Sequence, residues 1–213
     1  MPHPLATIVT EAADGRFPPV DGLVERVPPW RPGLEAVIAF TGHAVLAVEG
    51  PVPEVDGFGG AHDPRVVAAL AGPGGWIDSL DALMVARGTG GPPALVERPD
   101  LAGHPRVGFA GRIRDGLRVL GRPDRAVDDV AIVARGLAGL TEISVEVGPG
   151  RRGAGAGRGL VRDALTAVPA GEVVVAAVAP GNAASLRAFL AAGFTPVASM
   201  QLFRRNPSRT DFP

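Results

Sequence analysis

The second half of the chain predicts an α+β fold. From residue 114 onward, segments typical of strands and helices follow in the order strand, strand, strand, helix, strand, helix, strand. Neighbouring strands indicate hairpins, and a helix between two strands indicates a crossover connection. With 213 residues, 46% of them hydrophobic, the chain has enough apolar material for the core of one ordinary domain, or of one domain with a sizeable extension.

The strands of this half are predicted from alternation and from apolar runs. Leu140–Val147 alternates with a period of two and carries β-branched residues on one face. Glu172–Val178 is a continuous apolar run, which is typical of a strand buried on both faces. Further strands are predicted over Arg114–Leu120, Asp128–Leu137 and Thr195–Phe203.

Two helices are predicted between these strands. Leu160–Val168 has apolar residues at helical spacing. Asn182–Ala192 has Asn182 as an N-cap and Gly193 as a terminator.

The first hundred residues are rich in proline and glycine, and their pattern is weaker. Glu35–Phe40 and His43–Val48 predict two strands joined through Thr41-Gly42. The remaining predicted elements are a strand at Leu23–Arg26 and helices at Leu5–Ala13, Pro64–Ala71 and Trp76–Ala86.

Composition excludes several classes of function. The 21 basic residues are all arginine, and with 22 acidic residues the net charge is −1, so no bulk field attracts nucleic acid or an anionic membrane. Without cysteine there is no disulfide, thiolate metal site or cysteine nucleophile, and the four histidines lack the spacing of metal ligands. No secretion signal or membrane-spanning run is found, which predicts a cytoplasmic protein.

The segment Val145–Leu160 (VEVGPGRRGAGAGRGL) predicts an anion site. A strand runs into alternating glycines, and a helix begins near the last of them. Glycines leave the backbone N–H groups unshielded, and the first N–H groups of a helix have no partner within the helix. The surrounding cations are Arg151, Arg152 and Arg158. Such a site suits a phosphate or a diphosphate.

Other glycine-rich motifs fit this segment less well. A P-loop needs a lysine, and the chain has none. The dinucleotide fingerprint G-x-G-x-x-G needs a third glycine where this chain has Arg158 or Leu160. An arginine- and glycine-rich contact with nucleic acid is a further alternative, disfavoured by the net charge and by the position between a strand and a helix.

Two motifs together resemble the GNAT superfamily, the Gcn5-related N-acetyltransferases. Arg152–Gly157 follows the pattern [Q/R]-x-x-G-x-[G/A], and Asn182–Phe194 follows N-x-x-[AS]-x-x-x-[YF]-x-x-x-G-F. The resemblance implies a mixed, mostly antiparallel sheet flanked by helices, with an N-terminal α/β extension. It implies an acetyl-CoA-binding domain over 104–206, an N-terminal region 1–103 of unassigned function (a degenerate GNAT-like half is one interpretation), and a tail 207–213.

The resemblance also implies acetyl-CoA as cosubstrate, with no metal. Loop amides would hold the diphosphate, the backbone of Val145 and Val147 would pair with the pantetheine arm, and the second motif would flank the thioester. The structural alternatives are that Asn182 is only a cap and that Phe189 is a core residue. The implied binding residues are Val145, Val147, Arg152, Gly153, Ala154, Gly155, Ala156, Gly157, Arg158, Asn182, Ser185 and Phe189.

For catalysis, the resemblance implies direct transfer to an amine. Glu142, on the strand before the loop, is the candidate general base, and the alternative is a strand carboxylate paired with an arginine. Many family members protonate the leaving thiolate with a tyrosine, but this chain has no tyrosine and has Phe189 at that position. Ser185, a water molecule or no acid at all would then serve instead.

The predicted function is therefore N-acetyl transfer from acetyl-CoA to a small-molecule or protein amine. The alternative is a catalytically weak GNAT-like module that binds acetyl-CoA or CoA. Neither nucleic acid nor a membrane is expected as a partner, and the chain is expected to be a monomer or a homodimer.

Overall fold

The computed structural model describes residues 1–153 and 155–205, and in them it confirms the α+β class. The described residues form ten strands and five α-helices, and most of the strand pairs with an assigned register are antiparallel. The chain divides into two compact units, one of Met1–Leu83 with the residues from Val197 onward, the other of Met84–Pro196. The domain bounds 1–103 and 104–206 stay a prediction.

The first unit contains the hairpin that the sequence predicts. Strands β2 and β3 pair antiparallel and turn through Gly42, whose φ is +66°. Strand β1 pairs parallel with β3, and β10 pairs antiparallel with β2. The elements of this unit are α1 (Pro4–Ala13), β1 (Val24–Val27), β2 (Glu35–Phe40), β3 (His43–Ala47), α2 (Pro64–Ala71), the first part of β4 (Trp76–Arg87) and most of β10 (Thr195–Arg204).

The second unit contains both sequence motifs. Its sheet has the strand order β4-β9-β8-β7-β6-β5, where β4 is represented by its last residues. Its other elements are β5 (Val96–Glu97), α3 (Pro105–Ile113), β6 (Asp115–Gly121), β7 (Val130–Arg135), β8 (Thr141–Glu146), α4 (Ala156–Thr166), β9 (Val173–Val178) and α5 (Ala183–Ala191).

Strands β8 and β9 separate after a short parallel contact. Thr141 pairs with Val174 and Glu142 with Val175, and the paired register ends there. On its other edge β8 continues in antiparallel pairing with β7 as far as Glu146. The edge of β8 that faces β9 is therefore open over its last residues, just before the glycine-rich loop.

Helices cover this sheet with apolar side chains. In α4, Leu160, Val161, Ala164 and Leu165 are buried, which is the face that the sequence predicts. Ala110 of α3 packs with Val130, Ile132 and Ala134 of β7. Apolar burial of this kind is the main force that holds the helices in place.

The helix predicted over Trp76–Ala86 is wrong, because the segment forms strand β4. Its apolar residues have helical spacing, but Leu83, Met84 and Val85 are all fully buried. Three consecutive buried residues fit a strand that is covered on both faces, and tertiary pairing overrides the local pattern.

Sequence reasoning also missed helix α3. The signals were present: Pro105 at the first helical position and a cap by His104, whose Nδ1 accepts the N–H of Arg106 at 3.1 Å. Two glycines inside the helix hid the pattern. Helix α4 begins at Ala156, earlier than predicted, so that part of the glycine-rich motif lies in its first turn.

Candidate functional site: a cavity at the start of helix α4

A cavity of about 690 Å³ lies within the second unit, at the start of α4. Its walls are the end of β8, the glycine-rich loop, the first turn of α4, the exposed side of α5 and one residue of α3. Cavities of this size hold small molecules and cofactors. The two sequence motifs, which lie about thirty residues apart in the chain, therefore line one space.

The first turn of α4 presents backbone N–H groups to the cavity. Gly155 is the N-cap, with φ +76°, and no side chain caps the helix. The first hydrogen bond of the helical ladder runs from the N–H of Gly159 to the carbonyl of Gly155, at 3.2 Å. The N–H groups of Ala156, Gly157 and Arg158 thus have no acceptor in the helix, and the helix dipole favours an anion there.

Two of the three loop glycines are required by their backbone conformation. Gly153 and Gly155 have φ of +89° and +76°, and a Cβ at either position would meet no atom within 4 Å. Their requirement is conformational, because other residues rarely adopt the left-handed region. Gly157 has no positive φ, and a Cβ there would make an ordinary van der Waals contact with Ala188, at 3.4 Å, so neither conformation nor space requires a glycine at this position. Ala154, also predicted to bind the cofactor, lies outside the described residues.

Arginines dominate the charge of the cavity. Among its described lining residues are four arginines, Arg106, Arg152, Arg158 and Arg187, and one carboxylate, Glu146. The Nε of Arg106 lies 3.1 Å from the Glu146 carboxylate, and a guanidinium nitrogen of Arg152 lies 3.6 Å from it. The remaining charge is positive, which suits a ligand with several negative charges.

The strand end and the second motif complete the walls. Val145 and Val147 line the cavity at the open edge of β8. Asn182 and Ser185 line it from the start of α5, and the Asn182 side-chain oxygen accepts the N–H of Ser185 at 3.1 Å. Asn182 is therefore both the cap of α5 and a wall of the cavity.

Phe189, which the resemblance implies as a cofactor-binding residue, has its side chain in the core and not at the cavity. Its side chain is buried, and its ring meets that of Phe194 edge to face, with 5.0 Å between the ring centroids. It is not among the described lining residues of the cavity. The ring packs in the core, which is the alternative that the sequence left open.

Glu142 is also away from the cavity. It is 4% exposed and forms an ion pair with Arg114, itself buried. Its carboxylate also accepts the N–H of Leu137, at 3.2 Å. In this buried pair each charge compensates the other, so loss of either would leave an unpaired buried charge. The role of general base stays a prediction for Glu142.

Glu146 is a carboxylate of the cavity that was not identified as a candidate site residue from the sequence. It lies on the same face of β8 as Glu142, lines the cavity, and its side chain is 34% exposed. The signal was available in the alternation of the strand, which predicts that Glu142 and Glu146 share a face. Their arginine partners distinguish the two, because Arg114, just after α3, covers Glu142, whereas Arg106, in α3, flanks Glu146.

Within the described residues, no cluster of three or more histidine, aspartate and glutamate side chains could hold a metal ion. No helix in the described part of the chain is long and apolar enough to cross a membrane.

No protein-family model matches the chain, and no curated protein matches it either. Three solved structures are similar to it, all named as GNAT-family acetyltransferases. That from Novosphingobium aromaticivorans is 20% identical, covering 63% of this chain and 69% of its own, with a TM-score of 0.42. That from Colwellia psychrerythraea is 13% identical, covering 61% and 57%, with a TM-score of 0.35. That from Kribbella flavida is 16% identical, covering 64% and 62%, again with a TM-score of 0.35.

The matched part spans less than two thirds of two of the three proteins. At such identities and TM-scores, the likeness carries no argument about activity, which must come from the cavity itself.

Proposed function

We propose that this cavity binds acetyl-CoA and that the protein is a GNAT-type N-acyltransferase, which moves the acetyl group to an amine. The observation that carries the proposal is one juxtaposition. The uncapped N-terminus of α4, preceded by two left-handed glycines, lies beside the open edge of β8 in a single arginine-rich cavity.

The residues present fit the two chemical parts of CoA. The N–H groups at the start of α4 suit a diphosphate. The open edge of β8 at Val145 and Val147 suits an extended arm that carries amide groups, because such an arm adds to a sheet as another strand does. A simple phosphate would use only the first feature, and a peptide only the second.

Held in this way, acetyl-CoA supplies an activated acyl group that an amine can accept as the CoA thiolate leaves. The contribution of the chain is then mainly positioning, which places the thioester and the amine together. Backbone N–H groups at the end of β8 are also the donors available to a developing negative charge.

Glu146 is the carboxylate best placed to act on the acceptor. It lines the cavity and its side chain is about one-third exposed, so it can attract an ammonium group and accept its proton. Glu142 is paired with Arg114 in the core and does not line the cavity, whereas the pairs of Glu146 with Arg106 and Arg152 are partly exposed at the cavity wall. We therefore prefer Glu146 as the base.

On the leaving-group side, the hydroxyl of Ser185 lines the cavity and is available as a proton donor. A tyrosine cannot serve, since the chain has none. A thiolate also leaves without an acid, because a thiol ionises at pH values not far above neutral.

The second candidate is a module that binds CoA and transfers nothing. It is favoured by the absence of tyrosine and by the burial of Glu142. A cytoplasmic location and a monomeric or homodimeric state stay predictions under both functions.

Turnover separates the two functions. Purified protein is incubated with acetyl-CoA and a panel of small and peptide amines, and thiol release is measured against protein-free controls. Amine-dependent thiol release supports the transferase. Tight CoA binding without release across the panel supports the binding module, and no binding of CoA contradicts both.

A further inference from the structure

A fully buried carboxylate lies behind the loop that leads to the cavity. Asp129 is 0% exposed and immediately precedes β7, whose first residue, Val130, pairs with Glu146 of β8. A buried charge costs free energy unless polar partners surround it. The partners of Asp129 therefore indicate what it does.

Both carboxylate oxygens are engaged by the same short segment, Gly148–Arg151. One oxygen accepts the N–H of Gly148, at 3.0 Å, and the other accepts the Nε–H of Arg151, at 3.1 Å. This segment, a short 3-10 turn over Pro149–Arg151 with the residue before it, connects the end of β8 to the left-handed glycines. Asp129 thus holds the point where the strand becomes the loop.

The contact between the two segments is close. A Cβ at Gly148 would collide with the carboxylate of Asp128, an exposed side chain that can turn away, so the loop passes directly beside residue 128. The Arg151 side chain is about half exposed and its charge is directed to Asp129. Arg152 and Arg158 line the cavity, whereas Arg151 is not among the described lining residues.

We propose that Asp129 is a positioning residue, which fixes the Gly148–Arg151 segment and so holds the loop in its anion-binding form before any ligand arrives. This inference rests on the proposed function for its link to CoA, but the fixing of the loop can be measured without ligand. Binding to a loop that is already ordered loses less conformational entropy, and affinity is higher for that reason.

The test uses Asp129→Asn in the full chain. The asparagine oxygen can still accept one N–H, but the amide nitrogen then faces the Arg151 guanidinium, which is also a donor. The matched control is Asp124→Asn, in the same connection between β6 and β7. Asp124 accepts the N–H of Ala126 at 2.9 Å, away from the cavity.

The first measurement is backbone hydrogen exchange without ligand, followed by mass spectrometry or NMR. Asp129→Asn is expected to speed exchange of the Gly148 and Arg151 amides, which donate hydrogen bonds to Asp129 and to the Gly148 carbonyl, by about tenfold. Asp124→Asn is expected to leave their exchange unchanged. Unchanged exchange in Asp129→Asn would overturn the inference, whatever the protein binds.

The second measurement is binding and turnover. The Kd for CoA and the KM for acetyl-CoA are expected to rise about tenfold in Asp129→Asn, the size typical of a lost hydrogen bond to a charged group. A variant that is only less stable would instead show a lower kcat at an unchanged KM. If Asp129→Asn binds CoA as tightly as the unmodified protein does, the inference is overturned and the proposed function remains. If the unmodified protein binds no CoA, the proposed function is contradicted. The exchange measurement alone then decides the role of Asp129.

A second variant guards against loss of folding. Arg151→Gln changes a half-exposed side chain and keeps the bond from Asp129 to Gly148, so it should fold and show a smaller acceleration of exchange. In the double variant the two effects should be less than additive, because both remove one interaction. Full additivity would show that Asp129 and Arg151 act separately, contrary to the inference.

Discussion

The start of α4 and the buried face of β8 lie next to each other in the chain but are built in opposite ways. At the start of α4, backbone N–H groups and left-handed glycines make the site, and the helix has no side-chain cap. On the face of β8, the charged side chains and their ion pairs determine the environment. Glu142 is paired there with Arg114, which lies outside this strand. The first region depends on backbone conformation and the second on distant partners.

This difference teaches which substitutions should affect function and which should affect folding. Changes at the start of α4 should alter affinity for CoA, since these N–H groups have no acceptor within the helix and, in the proposed function, bind the diphosphate. Changes at Glu142 should alter stability, since its partner is already in place. Changes at Glu146, which lies at the border of the two regions, should alter turnover.

The largest effect is expected for Glu142→Gln. Loss of this carboxylate leaves Arg114 buried without its counter-charge, which should lower the free energy of unfolding by about 3 kcal/mol. The measurement is urea unfolding followed by circular dichroism. Glu97→Gln is the control, because its ion pair with Arg118 is exposed and should contribute less than about 1 kcal/mol. A stable Glu142→Gln with low turnover and a shifted pH–rate profile would instead identify Glu142 as the general base.

Gly155→Val should weaken CoA binding at least about tenfold. Its φ of +76° is costly for a β-branched residue, by about 1–3 kcal/mol, so the first turn of α4 should rearrange. The measurement is calorimetric titration with CoA. Gly150→Val is the control, because Gly150 has no positive φ and its Cβ would meet nothing within 4 Å. If both variants are folded and bind CoA with equal affinity, the assignment of this loop to CoA binding is contradicted.

Glu146→Gln should lower kcat/KM for the amine about tenfold, within the range that general bases contribute, and change the Kd for CoA little. The measurement combines steady-state kinetics over pH with calorimetry. Loss of the rising limb of the pH–rate profile is the expected signature of a lost base. An unaltered profile would return the role to Glu142 or to water.

The smallest effect is expected at Asn182, where two substitutions separate capping from binding. Asn182→Ala should lower stability by about 1 kcal/mol, and Asn182→Ser, which keeps a capping oxygen, should restore most of it. Thermal unfolding and CoA titration are measured on both. If Asn182→Ser still binds CoA more weakly than wild type, Asn182 also contacts the ligand, and wild-type affinity would make it a cap alone.

The backbone part of the site could be predicted from sequence because its signal is local. The spacing of Gly153, Gly155 and Gly157 between a strand and a helix is sufficient to indicate unpaired N–H groups. The roles of Glu142 and Glu146 could not be separated, because that requires the positions of Arg106 in α3 and of Arg114 just after it, and the sequence did not predict this helix.

The fold shows the same division. Strands such as β8 and β9, with alternating or continuous apolar patterns, were predicted nearly to their ends. Strand β4 was predicted as a helix, because its spacing is ambiguous and its pairing in the sheet is what decides. The positioning role of Asp129 depends on contacts across nearly twenty residues of chain, which no local pattern reports.

The most direct test of the central claim is an NMR titration of ¹⁵N-labelled protein with CoA, followed through backbone amide shifts. The account predicts that the largest shifts fall on the amides of residues 155–158, with a second group at 145–147. Absence of shifts at saturating CoA, or shifts confined to other parts of the chain, would contradict it.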